Sequence, residues 1–196
     1  VTKGDESPAY TFTPPGTLGY FARNGFGFNP SLAKNLMSEA GYPAGKGFPV
    51  TELLYNTSEG HRKIAVAIQQ MWKKHLGINI VLVNQDWKVY LDSVNTGNYA
   101  IARAGWIGDY IDPNTFLDMW VTDGGNNRTG WSNRHYDDLI SKQAPISSSK
   151  SERYKIMAEA EQILLNNMPI IPIYIYNSKS LVHPSLKGLQ PNILDY

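Results

Sequence analysis

Apolar and polar positions recur in two rhythms along this chain, and the changes of rhythm mark its elements. VTELLYN (50–56) and INIVLV (78–83) are short apolar runs rich in β-formers, the pattern of strands. Between them Ile64, Ala67, Ile68, Met71, Trp72 and Leu76 recur at helical spacing. This predicts a helix to about His75, capped by Thr57 or Ser58 and stopped by Gly77. Arg62, Lys63, Lys73 and Lys74 fall on its other face and read as solvated surface. Strand, helix and strand over 50–83 predict a right-handed crossover joining parallel strands.

The same reading extends to the rest of the chain. Asn29-Pro30 opens a helix with Leu32, Ala33, Leu36 and Ala40 on one face and Gly41 beyond its end. Trp87, Tyr90, Leu91 and Val94 mark another, ended by Gly97, and NYAIARAGW (98–106) reads as a strand. Asp112-Pro113 caps a helix containing Phe116, Leu117 and Trp120. A polar loop, TDGGNNRTGWSNR (122–134), precedes helices at 135–143 and 150–167, the second opened by a Ser149–Glu152 capping box. IIPIYIYNS (170–178) reads as a buried strand that Pro172 pushes toward an edge. Residues 1–30 and the tail HPSLKGLQPNILDY (183–196) carry turn chemistry, and the first 30 form an extended lead-in. The class is α/β.

Composition narrows the range of functions. The chain has 196 residues, enough for one ordinary domain or for one lobe of something larger. It is 42% hydrophobic and 18% charged, which excludes the disordered class. A net charge of +1 gives no electrostatic reason to expect nucleic acid. Cysteine is absent, so disulfides, thiolate metal sites and thiol nucleophiles are excluded. No apolar run approaches the roughly 18 residues of a membrane span. The start VTKGDESPAY has neither a methionine nor a leader pattern: either processing has removed the start or the chain is an excised piece of a longer protein, and the excised piece is the expectation.

Enzyme chemistry is sparse. There is no phosphate-cradling glycine loop and no G-x-S-x-G elbow. His61, His75, His135 and His183 show no zinc spacing, and no cofactor or metal is expected. Asp109 and Asp112 could be imagined as an acid/base pair, but Asp112 already suits a helix cap. Asn56-Thr57-Ser58 and Asn127-Arg128-Thr129 match the glycosylation pattern, a short pattern with a high chance rate. The segment IARAGWIGDYIDP (101–113) stands out because it places Arg103 and Asp109 at the two ends of a small apolar stretch. Each is either a structural or solvated charge, or a ligand for something charged. Arg103 and Gly105 share one parity of the predicted strand. Its C-terminal end, where Asp109 falls, is where open α/β sheets place ligands.

YNTSEGHRKIAVAIQQMWKKHLGINIVLVNQDWKVYLDS, ARAGWIGDYIDP and IIPIYIYNSKSLVHPSLKG occur in that order, after PAYTFTPP. Together they resemble the C-terminal lobe of the oligopeptide-binding proteins of bacterial ABC importers. The resemblance implies a two-lobed periplasmic-binding-protein-like receptor whose lobe carries a mixed sheet flanked by helices. Residues 31–182 would be the peptide-binding lobe, 1–30 its lead-in and 183–196 a return toward an absent N-terminal lobe. It further implies that Asp109 holds a peptide's α-ammonium, while Arg103 and His61 take the C-terminal carboxylate of particular peptide lengths. Trp87 and Trp106 would wall side-chain pockets, with Asn56 and Tyr176 weaker members of the site. Gly105 and Gly108 would let backbone approach the ligand closely. The implied partners are an oligopeptide and the membrane permease subunits of the importer; the implied protein is a monomer outside the cytoplasm, periplasmic or lipid-anchored. A receptor for murein peptide or another non-standard ligand, and a sensing module without transport, remain open alternatives.

Overall fold

The strand–helix–strand rhythm of residues 50–83 folds as predicted: β1 (Thr51–Asn56) and β2 (Ile80–Gln85) pair in parallel across a long helix. The computed structural model describes residues 6–23, 25–177 and 181–188, so part of the expected lead-in, Ser178 and most of the expected return segment lie outside the described residues. Two compact units are present. Among the described residues, one comprises Gly27–Gly105; the other joins 6–26 to those from Trp106 onward.

In the first unit α1 (Pro30–Glu39) begins where predicted, with the Asn29 side chain accepting the Leu32 N–H (3.0 Å) and Pro30 at the first helical position. None of its residues is buried. α2 (Glu59–Leu76) is stopped by Gly77 at φ 74°. A Cβ on Gly77 would collide with the Ala44 carbonyl oxygen, so the end of α2 meets the turn Pro43–Gly45 backbone to backbone. α3 (Trp87–Asn95) is capped by Asp86, whose carboxylate accepts from the Lys88 and Val89 N–H groups. β1 is the central strand, with β2 on one side and the two-residue β3 (Ile101–Ala102) on the other, all parallel.

Successive β1 side chains serve opposite faces. Leu53 and Tyr55 pack with Ala65, Ile68 and Trp72 of α2, while Leu54 packs with Tyr90 and Val94 of α3. Each buried Leu contributes roughly 1.5–3 kcal/mol relative to exposure. A central strand covered on both faces accounts for the unbroken run LLY. The predicted stripe of α2 is covered only in part: Ile64 is buried, whereas Met71 is 44% exposed.

The predicted strand 98–106 is much shorter in the structure. β3 ends because the Arg103 N–H makes the last sheet bond, to the Leu54 carbonyl (2.8 Å), and the Arg103 carbonyl turns to the Tyr90 hydroxyl (2.7 Å). With the ladder lost after Ala102, Arg103 and Gly105 do not share a pleated face as strand alternation would require.

The second unit is helical. α4 (Asn114–Leu117) is followed by a 3-10 turn, Asp118–Trp120. α5 (Arg134–Asp138), capped by Asn133, runs through a π-helical turn (Leu139–Gln143) into α6 (Ala144–Ile146). α7 (Lys150–Asn167) matches its predicted bounds. Its Ser149 hydroxyl accepts the Glu152 N–H (3.1 Å), but the Glu152 carboxylate reaches back to the Ser148 N–H (2.8 Å) instead of Ser149. Met157, Ala160 and Leu164 of α7 meet Leu117, Tyr136 and Tyr20 in one core.

Tyr20 shows that the lead-in belongs to this core. Its anchor is Glu161, a fully buried carboxylate on α7. Glu161 Oε1 accepts the Phe12 and Thr13 N–H groups (2.8 Å each), and Oε2 accepts the Tyr20 hydroxyl (2.8 Å). The buried strand predicted at 170–178 is replaced by a single antiparallel bridge, Pro8 to Tyr174, with Ile171 56% exposed. Pro172 and Pro8 lack the N–H groups a longer ladder would use.

Candidate functional site

Three of the predicted ligand residues of the first unit come together at the C-terminal ends of its parallel strands. Register places Asn56 opposite Gln85, and Arg103 follows β3 directly. His61 lies in the first turn of α2, half-buried, with its Nδ1 fully covered. Burial pulls the His61 pKa below its ordinary 6.5, and the charge of Arg103 pulls in the same direction; the Asn56 backbone acts weakly against both. A cation at a helix N-terminus is disfavoured as well. His61 is therefore a neutral imidazole at neutral pH, beside a permanently charged guanidinium.

Trp87 opens α3, 59% exposed, its ring stacked on Tyr90 at 5.7 Å and 19°. Tyr90 in turn holds the Arg103 carbonyl, so one buried tyrosine supports both the exposed indole and the turn that carries Arg103. Gly105 is exposed in the irregular chain that follows. Gln85, which sequence reasoning missed, has a covered Oε1 with no partner at the same strand end. Its only sequence signal is its place just past an apolar run.

In the second unit Asp109 is exposed on a bend. Its backbone N–H donates to the Thr115 hydroxyl (3.0 Å), and the Trp106 indole donates to the Thr115 carbonyl (2.9 Å). Trp106 and Asp109 are thus joined through one residue that sequence reasoning did not single out. Gly108 lies between them. A Cβ there would come 3.0 Å from the Thr115 methyl and 3.1 Å from the Phe116 ring, so its smallness serves internal packing.

Asp112 pairs with Arg153 through two 2.7 Å bonds and accepts the Asn114 N–H (2.9 Å). Burial alone would raise its pKa, but Arg153 and that N–H outweigh it and hold the carboxyl below the usual range. A carboxylate so occupied is a structural clamp and no partner for Asp109 in acid–base chemistry. Asp118 was also missed. It accepts from Asn114 Nδ2 (3.1 Å), and its pKa is raised, first by burial and also by the charge of Asp109 nearby.

The remaining candidates are simply placed. Tyr176 packs edge-on against Tyr174 at 5.0 Å on the segment bridged to Pro8. Asn127, a glycosylation match in the sequence, donates to the Trp120, Val121 and Trp131 carbonyls and organises its loop. Among the described residues no three His, Asp or Glu side chains gather as a metal site, and no helix is long and apolar enough to cross a membrane.

Comparison with known proteins places these groups in a family. The sequence pattern of the bacterial extracellular solute-binding proteins, family 5 Middle, matches residues 1–128. The periplasmic murein peptide-binding protein MppA of Escherichia coli is 42% identical over 193 residues, 95% of this chain and 36% of MppA. The oligopeptide-binding protein OppA of Bacillus subtilis is 36% identical over 197 residues, 96% of this chain and 36% of OppA. The crystal structure of Haemophilus influenzae OppA in complex with the peptide RPPGFSPFR superposes with a TM-score of 0.80 at 33% identity, covering 88% of this chain and 35% of that one. The chain therefore spans about a third of the length of these relatives. The strand, helix and loop groups described above are those of a chain that belongs to the bacterial extracellular solute-binding proteins of family 5.

Proposed function

We propose that this chain is the C-terminal lobe (31–182, with 1–30 leading in and 183–196 returning) of a receptor that delivers oligopeptides to an ABC importer. The observation that carries the reading is the exposed Asp109 carboxylate, presented on a bend whose backbone is fixed by a buried side chain. A peptide with a free terminus brings an ammonium that must be paired if it is to be enclosed, and a carboxylate supplies that pair. Arg103 and His61 meet the peptide's carboxylate, each for a different peptide length, because the carboxylate moves by about 3.3–3.6 Å per added residue. Trp87, Trp106, Asn56 and Tyr176 contact side chains, and Gly105 lets the peptide backbone come close. The relative caught with a bound nonapeptide, and those named for oligopeptide or murein peptide, support a peptide ligand. The reading makes the protein a monomeric, non-enzymatic component outside the cytoplasm, docking on the importer's permease subunits without a cofactor.

Asp109→Asn in the protein at the full length of its relatives tests this. It leaves an enclosed ammonium without counter-charge, a loss of about 3–5 kcal/mol, or roughly a hundredfold or more in Kd. N-acetylated peptides should already bind poorly to the unaltered protein. Calorimetric titration with free and acetylated tripeptides measures both, and equal affinities would remove Asp109 from the site.

A further inference from the structure

Thr115 is 2% exposed, and all of its polar groups are committed to the loop 106–115. Its hydroxyl accepts the Asp109 N–H (3.0 Å), its carbonyl accepts the Trp106 indole N–H (2.9 Å), and its own N–H donates to the Asp112 carbonyl (3.2 Å). Its methyl lies under Gly108, where a Cβ would approach to 3.0 Å. Trp106, Gly108, Asp109 and Asp112 of the loop all meet this one buried residue, Asp109 and Gly108 through its side chain and Trp106 and Asp112 through its backbone. The far end is held separately by the Arg153–Asp112 pair.

Asp109 itself has no ladder and no helix to fix it. The direction of an aspartate carboxylate follows its backbone, since only two side-chain torsions intervene. An ion pair with a ligand is worth most when the charged group is already aimed before the ligand arrives. The bond from the Asp109 N–H is the contact on this residue that supplies such aim.

We propose that Thr115 is the positioning residue of the ammonium site: its hydroxyl sets the Asp109 carboxylate, and it never touches the ligand. The inference rests on the reading of Asp109 as the ammonium partner and adds to it a residue-specific cause of selectivity. Loss of the hydroxyl leaves the Asp109 N–H unpaired or turned toward water, and the carboxylate swings with it. The Trp106 contact and the methyl packing survive in Thr115→Val, because they use the carbonyl and the retained methyl.

The test uses the ratio of affinities for one tripeptide with a free and with an acetylated N-terminus, in the protein at the full length of its relatives. Thr115→Val should lower this ratio about tenfold while leaving the acetylated peptide's affinity unchanged. Thr115→Ser, which keeps the hydroxyl, should retain the ratio. Thr115→Ser and Thr115→Ala both lack the methyl, so that pair isolates the hydroxyl if valine does not pack. A merely structural role would weaken both peptides alike in Thr115→Val and Thr115→Ala, and that result would overturn the proposal. So would a ratio unchanged in both, or a serine variant that behaves like alanine. Asp109→Asn run alongside separates the two claims. If it abolishes the ratio while Thr115→Val and Thr115→Ala do not, the positioning role fails alone; if it leaves the ratio intact, the ammonium reading fails first.

Discussion

Arg103 and His61 stand at the ends of regular elements, a strand and a helix, whereas Asp109 stands on a bend that no ladder or helix holds. In the sheet-bearing unit, backbone pairing and two apolar layers set the positions, and the cost falls on the charges themselves: burial and a neighbouring guanidinium keep His61 neutral. In the helical unit the charge of Asp109 is left in water, and order comes from side chains that bond to backbone, Thr115 and Glu161 foremost. A regular scaffold delivers polar groups at strand ends without special contacts, while a loop needs buried polar clamps to do the same. The two designs should fail differently.

The largest effect is expected at Glu161. Glu161→Ala leaves the Phe12 and Thr13 N–H groups and the Tyr20 hydroxyl without their acceptor and opens a cavity, which should cost about 4 kcal/mol in urea unfolding. Burial pushes the Glu161 carboxyl above its ordinary range despite these donors. A raised folded-state pKa means stabilisation that is complete below the unfolded value of 4.5 and is lost as pH rises through the folded one. Glu161→Gln does not titrate, so its stability relative to the natural protein should improve as pH climbs through that window. A difference that is flat with pH would show that the carboxyl is already ionised throughout.

Arg153→Ala should cost less, about 1–3 kcal/mol, because its partner Asp112 is only partly buried. Asp112 has a depressed pKa, so its contribution is present above the ordinary Asp value and is lost as pH falls through the folded one. The variant should accordingly flatten the acid limb of the stability curve. A loss equal to that of Glu161→Ala would mean that the loop and the lead-in are one cooperative clamp.

The smallest effect is expected at His61, where regular structure, not polar contact, holds the site. Its depressed pKa means that stability is full above 6.5 and is lost as pH falls through the folded value. His61→Ala should remove that acid sensitivity with little change at pH 8. Under the proposed function, binding of the peptide lengths that use His61 should strengthen on acidification, as the ring gains its charge beside a carboxylate. The measurement is a set of di- to pentapeptide affinities at pH 5.5 and pH 8, for the natural protein and for His61→Ala and Arg103→Ala. A pH-independent difference at His61 would remove its role as a charged partner.

The spacing of apolar residues was enough to define β1, α2, β2, α3 and α7 and to place Gly77 and Ser149 at their ends. Those elements are fixed by local periodicity and capping, which depend on neighbours a few residues away. The short stretch 101–113 also announced itself as special, because charges flanking a small apolar run are conspicuous in any sequence. Nothing in the sequence revealed that β3 stops after two residues, since the competitor is a hydroxyl on Tyr90, thirteen residues from Arg103. Nothing in the spacing singles out Glu161; only the fold turns it inward, where it meets donors nearly 150 residues away. Thr115 likewise carries no signal of its own in the sequence, and only the folded loop brings Trp106 and Asp109 to it. Hydrophobic pattern is written locally, whereas the partner of a buried polar group is chosen by whatever the rest of the chain brings within about 3 Å, and that only the tertiary structure decides.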